Sequence, residues 1–464
     1  MNEYCSNREF IESLMKLSPD MRIITIIVII TFLSTYKVTA QKVWSLEECI
    51  EYALTNNLSL KERALDIRLS KERIKSATMG YFPSLNLSVE HNLNWGRSVD
   101  LQTLEIVNNQ LTQNTGIGLG SSIYILDGGG KIFNSKIGRV ELQISELNLE
   151  ASIEDLKILI TKSYLEGLLS KELLAIIDGN LNTLNGKIKE LQEKVEMGEE
   201  EITSLLELKS QLAAEKREKI AARNNLDKVI LNLKVLLNIP HQERLQLEEP
   251  ELEERILTFR DQSDKEVEIL CFSHPKIKSL EKKIEMENLM IKKARGALFP
   301  KIGLSAAYST FYSSTATLPD GSLPSYFQQL GNNINPSINI SLTIPIFNNR
   351  EYRMEIERGK IERERALVEF TSARNELLKE FIEVRNEIEV KIEELNAAKE
   401  HLAYCEKSFE YATLKFENGI ITGRDYTDIR NTLHKAQSQY LRAKYQYLFQ
   451  LKIMDIYCGN GVKR

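Results

Sequence analysis

The sequence predicts a mainly α-helical protein with a smaller β component, and three features indicate this class. Proline is scarce, with ten residues among 464, and the stretches 84–239 and 346–464 contain none. Helix interiors exclude proline by about 3 kcal/mol, so both stretches are predicted to be mostly helical. Within them, apolar residues recur at alternating steps of four and three, as in Phe133, Ile137 and Val140, which indicates coiled-coil packing. Elsewhere, short segments alternate apolar and small polar residues, the period of a β-strand.

The N-terminus carries the pattern of an export signal. Residues 21–40 combine a basic start, an apolar run and a small residue, Ala40, at the end, and we predict a signal peptide cleaved after Ala40. A transmembrane anchor is the less favoured alternative, because the apolar run is too short to span a bilayer core of about 30 Å. Residues 1–20 lack any such pattern. We interpret them as a non-native extension that precedes a true start at Met21.

The remaining chain is predicted to contain two copies of one unit. The segment GYFPSLNLSVE (80–90) resembles ALFPKIGLSAA (297–307), and further matching segments follow both in the same order. Such self-similarity at a fixed separation is the mark of an internal repeat. We predict repeat 1 over 41–250 and repeat 2 over 251–464, each with a helix, two strands and a long helical hairpin.

Four segments show the strand period, two in each repeat. They lie at 85–89, 117–125, 302–306 and 338–344. A half-buried sheet of a soluble protein commonly produces this pattern, but the segment length and the export signal favour strands of an outer membrane. Four strands cannot close a membrane barrel, and lipid does not tolerate open strand edges. We therefore predict that three copies of the chain combine their strands into one twelve-stranded barrel.

The two proline-free stretches each predict a long helical hairpin that reverses at a glycine. Gly198 and Gly419 occupy matching positions, and glycine is expected there because a tight helix-to-helix turn needs a positive φ. The stretches 130–198 and 349–419 lead into these turns, and each is long enough as a helix to extend on the order of 100 Å. Rods of this length suit a protein that crosses a wide space.

The composition and motifs exclude several function classes. A net charge of −5 argues against nucleic acid as a partner. Five cysteines without a close pair, and five histidines without an HExxH motif, predict no metal or cofactor site. Because no nucleophile–base motif or complete phosphate-binding loop occurs, the sequence does not predict an enzyme.

In order of elements, the chain resembles the TolC-type outer-membrane efflux proteins over about 41–459. The resemblance rests on SLEECIEYALTNNLSLK (45–61), on YILDGGGK (124–131), on the two glycine-centred turns and above all on the tail at 416–459. It implies a homotrimer with a twelve-stranded β-barrel in the outer-membrane lipid and an α-helical barrel that continues into the periplasm. The implied function is the exit duct of a tripartite efflux or type I secretion system. The duct passively conducts substrates expelled by an inner-membrane pump, of RND or ABC type, through a periplasmic adaptor. A periplasmic coiled-coil adaptor or scaffold without a membrane barrel is the alternative.

The resemblance also implies functional positions in the second half of the chain and at both turns. Asp425 and Asp428 match an acidic pair that surrounds the periplasmic entrance in the family, and their i, i+3 spacing places them on one helix face. Two solvated aspartates on an acidic protein are the alternative interpretation. Gly198 and Gly419 match the tips where the family contacts its adaptor. An ordinary helix C-cap is compatible with that role.

Overall fold

A computed structural model describes residues 43–99, 106–199, 201–249, 264–316, 318, 322 and 324–457. The predicted extension at 1–20 and signal peptide at 21–40 lie outside these residues. The described part contains nine helices and six strands, so the prediction of a mainly helical protein with some strands is confirmed. Among the described helices, none is both long and apolar enough to cross a membrane.

Both halves of the chain place two longer strands before two long helices. The first half contains β1 (Val43–Trp44), α1 (Leu46–Asn56), α2 (Leu58–Met79), β2 (Ser84–Val99), β3 (Ile106–Asp127), α3 (Gly130–Glu196), α4 (Ile202–Leu237) and β4 (Gln246–Leu247). The second half contains α5 (Asp264–Ser273), α6 (Pro275–Gly296), β5 (Lys301–Ser313), α7 (Tyr326–Asn332), β6 (Asn335–Thr343), α8 (Glu351–Glu417) and α9 (Gly423–Tyr457).

The long helices form two hairpins of matched size. Helices α3 and α4 form the first hairpin, with 67 and 36 residues. Helices α8 and α9 form the second hairpin, with 67 and 35 residues. At 1.5 Å per residue, α3 and α8 each extend about 100 Å, the length that the sequence predicts.

Four strands form one antiparallel sheet in the order β2-β3-β5-β6. Strands β2 and β6 are its edges, and each pairs on one side only among the described residues. Strands β2 and β3 have 16 and 22 residues, and β5 and β6 have 13 and 9. All four are longer than the segments expected from the sequence, β2 and β3 by the largest margin. The sheet therefore has two open edges and a β2–β3 ribbon that extends beyond β5.

The register of the sheet separates an apolar face from a polar face. Leu87 pairs with Leu119, which pairs with Tyr308, so these side chains share one face, called here the apolar face. That face also carries Leu85, Val89, Leu304, Ile338, Ile340 and Leu342. The opposite, polar face carries Asn86, Ser88, Gly118, Gly120, Ser305 and Asn339. Most of the large apolar side chains named here are exposed in the single chain, so the residues that the structure describes leave the apolar face uncovered.

The main core lies where α1 meets the middle of α3 and the C-terminal ends of α4 and α9. It includes Cys49 of α1, Ile160 and Leu168 of α3, and Leu233 of α4, all fully buried. Strands β1 and β4 pair in parallel beside this core, and the Tyr164 hydroxyl lies 2.9 Å and 2.6 Å from the carbonyl oxygens of Trp44 and Glu248. This core joins α1 to both hairpins midway along α3, and the hairpin tips lie beyond it.

Each long hairpin starts from the sheet through two consecutive left-handed residues. Gly128 and Gly129 have φ of 68° and 82°, and Asn349 and Arg350 have φ of 50° and 66°. The first turn brings its backbone against the end of α6, where a Cβ on Gly128 would lie 1.9 Å from the carbonyl oxygen of Gly296. This contact joins the two halves of the chain where the sheet meets the helices.

Candidate functional site at the hairpin tips

The first hairpin reverses through a Schellman turn centred on Gly198. Gly198 has φ of 76°. The amide of Glu199 donates to the carbonyl of Lys194 at 2.9 Å, and the amide of Gly198 donates to the carbonyl of Val195 at 3.1 Å. These two bonds satisfy carbonyl groups at the end of α3 that have no partner within the helix.

The second hairpin repeats this turn at Gly419, which has φ of 68°. The amide of Ile420 donates to the carbonyl of Lys415 at 2.8 Å, and the amide of Gly419 donates to the carbonyl of Phe416 at 3.0 Å. A Cβ on Gly198 or on Gly419 would meet no atom within 4 Å. The left-handed backbone, and not a lack of space, is therefore the reason for glycine at both tips.

Asp425 holds the first turn of α9 in place. Its carboxylate accepts hydrogen bonds from the Thr422 hydroxyl at 2.7 Å and from the Thr422 amide at 3.2 Å. In return, the amide of Asp425 donates to the Thr422 hydroxyl at 3.2 Å. This reciprocal pattern is a capping box, and the hydrogen bonds from Thr422 lower the pKa of the Asp425 carboxyl. Asp425 is thus an exposed carboxylate that stays charged and fixed in position.

Asp428 lies one turn further along the same face of α9. Its side chain is exposed, and among the described residues it forms no hydrogen bond or ion pair. The structure therefore places both predicted aspartates at the start of α9, close to the Gly419 turn. One is fixed by its cap, and the side chain of the other has no partner among the described residues.

Lys187 of the first hairpin connects the two tips through an aromatic stack in the second hairpin. The rings of Phe416 and Tyr426 stack at 4.8 Å, and Tyr426 is buried. Lys187 of the first hairpin lies with its Nζ 5.9 Å from the centre of the Phe416 ring and 3.7 Å from the Glu417 carboxylate. The tips of one chain are therefore held together by cation–π and charge contacts.

A buried ion pair joins the two hairpins further along α4 and α9, beyond the contacts at the tips. Arg430 of α9 is 2% exposed, the Glu215 side chain of α4 is 12% exposed, and the two approach to 2.9 Å. Burial raises the pKa of Glu215, and the charge of Arg430 offsets this effect only in part. Beside the pair, Gln211 donates to the Asn431 side chain at 2.9 Å.

Each hairpin has its own apolar core at this level. In the first, Leu184, Ile188 and Leu191 of α3 pack against Leu205 and Leu208 of α4. The core of the second is formed by Cys405, Leu433 and Ala436. The contacts described above, which join the two hairpins, are polar or aromatic. Removal of a charged side chain therefore weakens the link between the hairpins, whereas it leaves the two apolar cores unchanged.

The site contains residues that no sequence pattern identified. Arg430 and Glu215 are 215 positions apart and belong to highly charged helices, so neither differs from its neighbours in the sequence. The cap at Thr422 was available from the sequence, because a Thr-x-x-acid pattern before an apolar run marks a helix start.

We expect the stability of the protein to fall below neutral pH because of His434, which follows Arg430 by one turn of α9. Burial, with a smaller contribution from the charge of Arg430, lowers the pKa of His434 to about 4. An unfolded chain has the ordinary value near 6.5, so it binds more protons than the folded chain between these limits. Stability is therefore complete above about pH 6.5 and declines as the pH falls towards 4. Thermal unfolding from pH 7 to pH 4.5 should show a smaller decline for His434→Gln than for the unaltered protein. His241→Gln, at an exposed site, is the control, and equal declines for all three proteins contradict the expectation.

Comparison with known proteins supplies a family and a fold. A family model described as "Outer membrane efflux protein" matches residues 49–238 and 270–452. No curated protein matches the chain significantly. Among solved structures, the CmeC outer membrane channel of Campylobacter jejuni is similar with a TM-score of 0.77 at 17% identity, covering 90% of this chain and 86% of that one. The outer membrane protein VceC of Vibrio cholerae is similar with a TM-score of 0.71 at 16% identity, and the match covers 89% of this chain and 95% of that one. The open state of the MtrE outer membrane channel of Neisseria gonorrhoeae is similar with a TM-score of 0.68 at 18% identity, and the match covers 90% of each chain.

Proposed function

The chain belongs to the outer membrane efflux protein family, and we propose that it is the outer-membrane exit duct of a tripartite efflux or type I secretion system. It passively conducts substrates that an inner-membrane pump, of RND or ABC type, expels through a periplasmic adaptor. The observation that carries the proposal is the combination, in one chain, of an uncovered apolar sheet face with hairpins about 100 Å long. The sheet suits the lipid of the outer membrane, and the hairpins suit the periplasm.

In this proposal, three copies close their sheets into a single barrel. Strands β2 and β6 present open edges, and hydrocarbon does not tolerate unpaired backbone groups. Pairing of β6 in one copy with β2 in the next removes every edge once the ring is closed. The matched helix lengths support two copies of one unit, at 41–250 and 251–464, which together give a ring of long helices below the barrel.

The proposed periplasmic entrance lies at the tips of the second hairpin. Asp425 and Asp428 are exposed near the Gly419 turn, and three chains would bring six carboxylates around one opening. Charges in a narrow, poorly screened mouth attract cations and repel anions. The turns at Gly198 and Gly419 lie at the ends of the hairpins that are remote from the sheet, and this position supports a contact there with the adaptor.

We expect multivalent cations to block the channel at this ring, because several carboxylates together can replace the water ligands of a cation. The test is single-channel conductance in a planar bilayer, with and without a trivalent cation. Asp425→Asn/Asp428→Asn removes the charges and keeps an oxygen that can accept the bonds from Thr422, so the helix start stays intact. This variant should be blocked at least about tenfold more weakly, since a loss of only about 1.4 kcal/mol in binding gives that factor.

The matched control for the block is Asp227→Asn, which removes an exposed charge from α4. It should be blocked like the unaltered protein. Equal block of all three proteins assigns the entrance to other residues. The absence of any channel activity favours the alternative of a periplasmic adaptor or scaffold, which would also be released with the soluble periplasmic proteins.

A further inference from the structure

An aromatic ladder lies at the end of β5 that is far from the long helices. It consists of Tyr312 at the end of β5 and Tyr326 and Phe327 at the start of α7. The rings of Tyr312 and Tyr326 are 4.7 Å apart, and those of Tyr326 and Phe327 are 5.4 Å apart at nearly a right angle. Phe327 ends the ladder and is 82% exposed.

Hydrogen bonds fix α7 to the end of β5. The side chain of Gln329, which is 3% exposed, accepts from the amide of Ser313 at 3.0 Å and donates to the carbonyl oxygens of Ser313 and Pro324, both at 3.1 Å. Asn333 donates to the carbonyl oxygen of Phe311 at 2.8 Å. Because a buried amide with these partners is costly to displace, the exposed position of Phe327 belongs to an anchored helix and not to a frayed loop.

The ladder continues the apolar face of the sheet. Tyr312 follows Leu304 and Tyr308 at intervals of four residues along β5, so the three side chains share that face. Tyr326 packs on Tyr312, which extends the face beyond the end of the strand. The segment Tyr326–Asn332 contains no charged residue and carries polar amides beside its two aromatic rings.

We propose that α7 lies at the boundary between the headgroups and the acyl chains of the outer leaflet, with Phe327 inserted among the upper acyl carbons. The proposal rests on the proposed function, because it needs the apolar face to contact lipid. Aromatic side chains collect at this boundary, where an apolar ring and neighbouring polar groups are both accommodated. A lipid surface is favoured over a protein partner because the ladder is continuous with the whole apolar face. Insertion fixes the height of the barrel in the membrane from its outer side.

The test uses tryptophan as a reporter of contact with lipid. The chain has two tryptophans, and Trp95→Phe provides a background in which Trp44 remains beside the main helical core. Phe327→Trp is then compared with Ile338→Trp on the apolar face and with Asn339→Trp on the polar face, one residue away. The full assembly of each variant is placed in phosphatidylcholine vesicles that carry bromine either near the headgroup or near the chain end. Its fluorescence is measured after that of the background is subtracted.

The proposal predicts that Phe327→Trp loses most of its fluorescence to the shallow bromine and little to the deep bromine. Ile338→Trp should be quenched by brominated lipid, and Asn339→Trp should not. If Phe327→Trp behaves like Asn339→Trp while Ile338→Trp is quenched, α7 projects into water or onto a protein, and this inference fails while the proposed channel stands. If Ile338→Trp also escapes quenching, the sheet is not in lipid and the proposed function fails with it.

Discussion

Replacing Gly128 by alanine should destabilise the folded chain by several kcal/mol and prevent assembly. The residue has φ of 68°, and a Cβ there would lie 1.9 Å from the carbonyl oxygen of Gly296. Likewise, a Cβ added to Gly296 would lie 2.2 Å from the carbonyl oxygen of Gly128. A left-handed alanine costs about 1–2 kcal/mol and the clash about 1–3 kcal/mol more, because backbone on both sides must move. The total is a large part of the stability of an ordinary domain.

Gly120→Ala is the matched control for this substitution. Gly120 lies on the polar face of β3, and an added Cβ would meet no atom within 4 Å. The substitution should change the free energy of unfolding by less than about 0.5 kcal/mol. Thermal unfolding in detergent and the yield of the assembled particle measure both variants. Similar behaviour of the two would show that the contact between Gly128 and Gly296 does not hold the two halves together.

Replacing Arg430 by methionine should lower the free energy of unfolding by about 3–5 kcal/mol, because it leaves the Glu215 carboxylate buried without a counter-charge. The two groups lie 2.9 Å apart and are 2% and 12% exposed. The double variant Arg430→Met/Glu215→Leu removes both charges and should recover most of the loss, since an apolar pair of similar volume often replaces a buried ion pair at little cost.

A double-mutant cycle in urea separates the coupling from the individual effects of Arg430 and Glu215. The control is the pair of Lys219 and Asp178, which lie 2.6 Å apart with side chains 40% and 42% exposed. Loss of Lys219 should cost less than about 1 kcal/mol, because water screens an exposed pair. If Arg430→Met costs no more than Lys219→Met, burial does not strengthen the link between the hairpins.

The helical part of the fold was accessible from the sequence because its causes are local. Absence of proline and a coiled-coil spacing predicted α3 and α8, and the structure gives 67 residues to each. Gly198 and Gly419 predicted the turns, since few other residues adopt the left-handed backbone that a Schellman turn needs. In these segments the local preference and the final structure agree.

The length of the β2–β3 ribbon was not accessible, because its outer part is stabilised by pairing between strands. Residues 106–116 read IVNNQLTQNTG, which has no alternation of apolar and polar residues. In the structure Leu93 pairs with Gln113 and Trp95 with Leu111, so the cross-strand neighbours support the strand where its own pattern does not. The link between Arg430 and Glu215 escaped prediction for the same reason, since only the folded chain brings α4 and α9 together.

The central claim is that three copies close one barrel, and the mass of the detergent-solubilised particle tests it most directly. The claim predicts a particle that contains three chains of the mature protein, with its strand content intact by circular dichroism. A stable particle that contains a single chain and keeps its strands contradicts the claim, because the edges of β2 and β6 would then persist unpaired.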